Sequence, residues 1–151
     1  DGGLGRVRVI LDSNVIFSYL LSPPNANTTV VQIVELALDG AFSLVIPVEV
    51  IEEMENALAA KPYLKGRISA ERLREVSEAL AAVASELPRR TGPDIDVVRD
   101  PKDNFLLAAA VHANVDFLVS GDKDLLDLST RLERPKIVKP ADFLVLIQTP
   151  D

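Results

Sequence analysis

The stretch Val9-Ile10-Leu11-Asp12-Ser13-Asn14 decides the fold, because it compresses a strand, a turn and a helix start into six residues. Val7 to Leu11 is short, apolar and rich in β-branched side chains, the pattern of a strand buried on both faces. Val15 to Leu21 then reads as an apolar helix stopped by Ser22-Pro23-Pro24. The same grammar recurs downstream. Arg99-Asp100-Pro101-Lys102-Asp103-Asn104 leads into a helix, and Leu118-Val119-Ser120-Gly121-Asp122-Lys123-Asp124 leads from a strand into a short one.

Between these phrases the periodicity supplies the other elements. Thr28 or Thr29 caps a helix with a Val31, Val34, Leu38 stripe that ends at Asp39-Gly40. Phe42 to Ile46 reads as a strand, and Pro47 opens a helix to about Ala59, broken by Lys61-Pro62. Ser69 to Leu87 is the clearest helix, with Leu73, Val76, Leu80, Val83 and Leu87 as its buried stripe. Ile95 to Val98 reads as a short strand, and Asp103 to His112 as a helix apolar nearly all round. Asp116 to Ser120 and Lys136 to Val138 are strands, Asp124 to Leu128 a short helix, and Pro140 to Ile147 a closing helix. Alternating strands and helices predict a parallel sheet with right-handed crossovers, hence a three-layer α/β/α sandwich. No repeat, low-complexity tract or linker divides the chain, so residues 1–151 are expected to form one domain.

Bulk properties narrow the function. With 48% hydrophobic and 26% charged residues, the chain is ordinary for a soluble globular protein. It has no cysteine, which excludes disulfides and thiolate metal sites and is compatible with the cytoplasm. No apolar run approaches the ~18 residues of a membrane span, and the start lacks a signal pattern, so no membrane partner is expected. Asp1-Gly2-Gly3-Leu4-Gly5 is given no role. A net charge of −7 argues against nonspecific nucleic-acid binding through a broad basic surface, but leaves room for a polyanion held by a metal and a local basic patch.

In an open parallel sheet the C-terminal strand ends share one rim, so acids remote in sequence can meet there. Asp12, Glu53, Asp103 and Asp122 all fall just past expected strands. Each has a competing structural explanation. Asp12 is placed to cap a helix, Asp100-Pro101-Lys102-Asp103 is a helix-start signal, and one of Asp122 and Asp124 is needed as a cap. Caps alone give no reason for convergence; a cation does, and oxygen-only ligands favour Mg²⁺ or Mn²⁺. Asn14 or Ser13 is then expected to orient Asp12. On the helix after the second strand, Glu52 points away from the core, while Glu53 and Glu55 flank the apolar face; periodicity does not choose between them. Asp127 reads as a solvated acid, and His112 as a core or edge side chain. Arg6, Arg8, Arg89, Arg90, Lys102, Lys123, Arg131 and Arg134 are available for phosphate contacts, each with a solvated face as the simpler reading.

The phrases Leu11-Asp12-Ser13-Asn14-Val15, Glu52-Glu53-Met54, Asp100-Pro101-Lys102-Asp103-Asn104 and Val119-Ser120-Gly121-Asp122-Lys123-Asp124-Leu125-Leu126 together resemble the PIN-domain family. Within it the chain is similar to the toxin components of bacterial toxin–antitoxin systems, from about Val7 to Phe143. The resemblance implies a cleft of acids around Mg²⁺ or Mn²⁺ and cleavage of single-stranded RNA by metal-activated water. It implies Asp12, Glu53, Asp103 and Asp122 as catalytic and metal-holding acids, Asp124 as an auxiliary metal ligand, and Asn14 and Ser120 as polar helpers. It selects Glu53 over Glu55, and it adds an antitoxin protein as an expected partner. Pro47 departs from the Ser or Thr common in related sequences. Two other expectations stand beside it: a haloacid-dehalogenase-like phosphatase, which needs an Asp where this chain has Asn14, and a receiver-like signalling domain, suggested by Val138-Lys139-Pro140. Phe143 to Ile147 is apolar enough to close the core or to face a second copy in a homodimer.

Overall fold

A computed structural model of the chain describes residues 7–23, 25–85, 87–88, 101–128 and 133–148, with backbone alone at 101–104. Its centre is β1 (Arg8–Leu11), whose Val9 and Ile10 are fully buried. This strand has a neighbour on each side: β2 (Ser43–Leu44) and β3 (Phe117–Val119), the latter also paired with β4 (Lys136–Val138). The four-stranded sheet has the order β2-β1-β3-β4 and every pairing is parallel. The continuous apolar run of β1 is the signature of a strand covered by helices on both faces. The expected three-layer α/β/α architecture is therefore observed.

The helices form where capping and apolar stripes predict them. They are α1 (Ser13–Leu21), α2 (Thr29–Leu38), α3 (Val48–Ala60), α4 (Pro62–Lys65), α5 (Ala70–Val83), α6 (Pro101–His112), α7 (Lys123–Leu126) and α8 (Pro140–Gln148). Thr28 caps α2 by accepting from the Val31 N–H at 3.3 Å. The same helix ends in a Schellman turn: Ala41 N–H donates to Leu36 O at 2.9 Å and Gly40 N–H to Ala37 O at 3.1 Å. Gly40 takes φ +77°, a conformation that a Cβ would strain. Ser69 caps α5 through the Arg72 N–H at 3.0 Å.

Several boundaries differ from the sequence reading. The α5 helix stops at Val83 rather than Leu87, because the N–H and hydroxyl of Ser85 both donate to Leu44 O, at 2.8 and 3.1 Å, on the outer edge of β2. Val83 and Leu87, expected on the buried stripe, are consequently exposed. Pro47 takes the N-cap position of α3 rather than its first helical one. The α6 helix is not buried all round: Leu106, Leu107, Ala108 and Ala110 are, but Val111 and His112 face solvent, as an outer-layer helix requires. Ile95–Val98, Asp100, Arg6, Arg89, Arg90 and Arg131 lie outside the described residues.

The core runs through the sheet into α8, where Phe143 is fully buried. Its ring meets those of Phe42 and Phe117 edge-on, at 5.3 and 5.7 Å between centroids. Leu144 and Ile147 are buried with it, so this helix closes the core, while Val145 and Leu146 stay exposed. Among the described residues, no helix is long and apolar enough to cross a membrane.

Register fixes where the rim lies. Leu11 pairs with Val119, so β1 and β3 end side by side. The chain leaves β1 toward β2 on one edge and leaves β3 toward β4 on the other. The crevice between two such strand ends is where open α/β sheets hold ligands.

Candidate active site

Asp12 and Ser120 occupy that crevice. The ladder is extended by one bond on each strand: Asp12 N–H donates to Val119 O at 3.0 Å, and Ser120 N–H to Val138 O at 3.0 Å. These bonds hold the two backbones in register and bring their side chains together. The Ser120 hydroxyl donates to Asp12 Oδ2 at 2.7 Å and accepts from the Asp122 N–H at 3.0 Å. One fully buried hydroxyl thus ties the Asp12 carboxylate to the turn that carries Asp122.

Asp12 stands at the N-cap position of α1, yet its side chain makes no capping bond. It is 6% exposed and turned toward the crevice. Its second oxygen, Oδ1, lies 3.3 Å from the Ser13 hydroxyl, which donates more closely to Glu53 Oε1 at 2.7 Å. A hydroxyl has one proton, so two carboxylates compete for a single donor and Glu53 takes the greater share. Burial pushes the Asp12 carboxyl above its ordinary 3.8; the Ser120 hydroxyl pulls it back, the Glu53 charge adds to the rise, and the N–H groups of Asn14 and Ser13 oppose it.

A cleft of about 200 Å³ opens over this group, lined by Asp12, Ser13, Asn14, Glu53, Asp122 and Lys61 among others. Each acid arrives from a different element. Glu53 reaches it because α3 buries Val50, Met54 and Leu58, leaving position 53 on the edge that faces α1. Glu55 lies on the opposite edge, in a separate groove with Leu58, Lys65 and Leu73. Asp122 caps α7, accepting from the Asp124 N–H at 2.8 Å through Oδ1, and still borders the cleft. Asp124 is half-buried and is not among the residues lining this cleft. Asp103 lies in the first turn of α6, where the side chains are outside the described residues; Leu106 and Phe105 of that helix do line the cleft.

The expected basic contacts divide differently. Arg134 is committed to structure, pairing with Asp116 at 2.6 Å and donating to the carbonyls of Val115 and Asn114. The Arg8 guanidinium donates to Ala113 O at 2.7 Å. Lys123 faces solvent beside Asp127, at 3.3 Å, in keeping with the solvated reading of that acid. Among the described residues, Lys61, which the sequence reading used only as a helix breaker, is the basic side chain that lines the cleft. No periodic signal marks it, since it follows the last turn of α3. Phe17 and Phe105 also escaped notice, their positions reading simply as core.

The donor set suits a hard divalent cation: carboxylates and hydroxyls, with neither thiolate nor imidazole in the lining. A buried carboxylate whose ionised form is disfavoured by burial and by a neighbouring acid is the environment that a cation relieves. Among the described residues, however, no three acids lie close enough together to hold one ion. Asp12 and Glu53 form the nucleus of the set, with Asp122 across the cleft.

The chain is similar in fold to the crystal structure of PAE2754 from Pyrobaculum aerophilum, with 17% identity, a TM-score of 0.52, and coverage of 97% of this chain and 92% of that one. At that identity the likeness concerns the fold alone. No curated protein matches the sequence significantly. A family model, described as PIN domain, matches residues 8–124, a span that begins at β1 and ends just beyond Asp122. That span covers most of the chain and contains Asp12, Glu53, Asp103, Asp122 and Asp124, and on it the chain belongs to the PIN-domain family.

Proposed function

We propose that this protein is a divalent-metal-dependent endoribonuclease that hydrolyses phosphodiester bonds in single-stranded RNA. PIN domains are a family of nuclease-type folds, and what is proposed beyond that is the metal, the substrate and the residues. The observation that carries the proposal is the meeting of Asp12 and Glu53 through one shared hydroxyl, on a cleft that Asp122 also borders.

Asp12 and Glu53 would form the nucleus of an Mg²⁺ or Mn²⁺ site, which Asp122 across the cleft and Asp103 at the start of α6 would complete. When bound, the ion would activate water and offset charge on the phosphate. The chain's own residues do the rest. Ser120 holds Asp12 in one rotamer through a 2.7 Å bond, and Ser13 does the same for Glu53. Preorganised acids of this kind lose little freedom when a ligand arrives. Asp124 supports the site through its backbone, by engaging Asp122 Oδ1, rather than from within the cleft. Asn14 borders the cleft and is placed to help orient substrate or water. The family match along residues 8–124 leaves neither the phosphatase nor the receiver reading with an observation in its favour. A toxin role, with an antitoxin protein as partner and action in the cytoplasm, belongs to the same proposal and rests on the sequence resemblance.

The test is cleavage of a fluorophore–quencher RNA oligonucleotide with Mg²⁺ or Mn²⁺, against a chelator control and an Asp12→Asn variant. Cleavage is expected only with the metal and only with Asp12. Metal-dependent cleavage that survives in folded Asp12→Asn protein overturns the assignment.

A further inference from the structure

The cleft carries a second kind of chemistry beside its acids. Lys61 and Phe105 line it together with Asp12 and Glu53, and both also line an adjoining groove along α3, with Asn56, Ala57 and Ala60. Lys61, Phe105, Glu53 and Ala57 belong to both depressions, so these are one continuous path that passes the carboxylates and runs on beneath the end of α3. Ala57, Ala60 and Phe105 form the apolar part of the groove wall, and Glu49, Glu52, Glu53, Asn56 and Lys61 the polar part.

Lys61 is held there by backbone chemistry. It terminates α3, its N–H donating to Ala57 O at 3.0 Å, and Pro62 starts α4 immediately afterwards. A residue before proline is restricted to extended conformations, and Lys61 adopts φ −113°, ψ 100°. The stem therefore leaves a fixed point between two helices, at the mouth of an acidic cleft. Among the described residues its ammonium makes no ion pair. Phe105 is half-buried on α6, its remaining surface turned to the path. A large apolar ring left partly open beside a polar cleft has surface to gain by stacking.

We infer that Lys61 and Phe105 form a nucleotide-holding subsite next to the scissile position, in which the Phe105 ring stacks on one unpaired base and the Lys61 ammonium neutralises an adjoining phosphate. This deepens the proposed nuclease function and rests on it. The subsite gives a reason for single-strand selectivity in this chain's own residues: a base can offer its face to Phe105 only when it is out of a duplex. It also gives a protein of net charge −7 a way to hold a polyanion, through one local cation and one ring.

The test is fluorescence anisotropy with a labelled oligouridylate of about eight nucleotides, a matched oligomer carrying abasic sites, and a duplex of the same length. It is run in Mg²⁺ on Asp12→Asn protein, across a salt series. The oligouridylate is expected to bind more tightly than both the abasic oligomer and the duplex. Adding Lys61→Met should weaken binding and lower the slope of log K against log salt by about 0.7, the loss of one single-strand phosphate contact. Adding Phe105→Leu should weaken oligouridylate binding roughly 5- to 100-fold while barely changing the abasic oligomer, and Phe105→Trp should restore the difference. Equal binding of abasic and normal oligomers by protein carrying Phe105 overturns the subsite, as does an unchanged salt slope in Lys61→Met. The abasic comparison needs no substitution at Phe105, so a folding defect there does not blunt it. Failure of the nuclease reading shows separately, as absence of RNA cleavage by the unsubstituted protein despite intact base-dependent binding.

Discussion

Replacing Ser120 by Ala should both destabilise the protein and make its stability more sensitive to pH. The hydroxyl is fully buried and makes two bonds, donating to Asp12 Oδ2 at 2.7 Å and accepting from the Asp122 N–H at 3.0 Å. A hydrogen bond to a charged group contributes about 1.5–3 kcal/mol and a neutral one about 0.5–1.5 kcal/mol. The substitution should therefore cost roughly 2–4 kcal/mol, or roughly 4–16 °C in Tm for a chain of this size. The pH dependence follows from Asp12. Its carboxyl is raised by burial, so the folded state binds that proton more tightly than the unfolded chain. Stability from this group is full below 3.8 and is lost as pH rises through the higher folded value. Ser120 is the largest influence opposing the rise, so its removal pushes the carboxyl further up and widens that window. The deficit against the unsubstituted protein should then be larger at about pH 7.5 than at about pH 4. Urea unfolding of both proteins at the two pH values, in a chelator, measures it. A deficit below about 0.5 kcal/mol, or one equal at both pH values, refutes the account of Ser120 as the buried anchor of an ionised Asp12.

Three further outcomes are expected. Glu53→Gln should lose at least about tenfold in cleavage rate, whereas Glu55→Gln, which alters a separate groove, should stay within about twofold; equal losses would show that the edge of α3 facing the cleft is misassigned. Metal-free Asp12→Asn should be at least as stable as the parent at neutral pH, because it removes a buried charge beside Glu53, and calorimetry in a chelator reads this directly. Phe143→Ala should cost about 3–5 kcal/mol, since it empties a fully buried ring site between Phe42 and Phe117, whereas Val145→Ser on the exposed face of α8 should cost under about 0.5 kcal/mol; a large loss at Val145 would mean that this face is covered by a second copy in solution.

The elements most legible in the sequence were those whose signals are local. Thr28, Asp39-Gly40 and Ser69 announce helix ends through single side chains or one backbone conformation, and each does so in the structure. The strands β1 and β4 were bounded by their own apolar runs. What escaped the sequence depends on distant partners. The early end of α5 is set by Leu44, about forty positions away, whose carbonyl takes both donors of Ser85. Nothing in the apolar stripe through Val83 and Leu87 records that. The same holds at the site. Periodicity leaves Glu53 and Glu55 on two edges of one helix; the family resemblance selects Glu53, and the packing of α1 against α3 supplies the physical reason that this edge faces the crevice. Lys61 and Phe105 carry no pattern of their own, because a residue after a helix and an aromatic on an apolar helix have ordinary structural explanations.

The division of labour among the acids also explains why capping and ligation looked interchangeable in the sequence. Asp12 and Asp122 occupy the same backbone position, the N-cap of the helix that follows a strand. Only Asp122 uses its side chain as a cap, spending one oxygen on the Asp124 N–H. Asp12 makes no capping bond of ordinary geometry, and the N–H groups of Asn14 and Ser13 in the first turn of α1 act on its carboxylate only as lesser influences than burial. A capping bond is a net gain of about 1 kcal/mol, and forgoing it for a buried position beside another carboxylate costs stability in the metal-free protein. Ser120 offsets part of that cost while fixing the carboxylate, and Ser13 gives most of its proton to Glu53. Local destabilisation of a charge has little structural purpose of its own; under the proposed function the cation supplies one. The burial of Asp12 beside Glu53 is for that reason a sharper pointer to a binding role than the acid's position at the end of a strand.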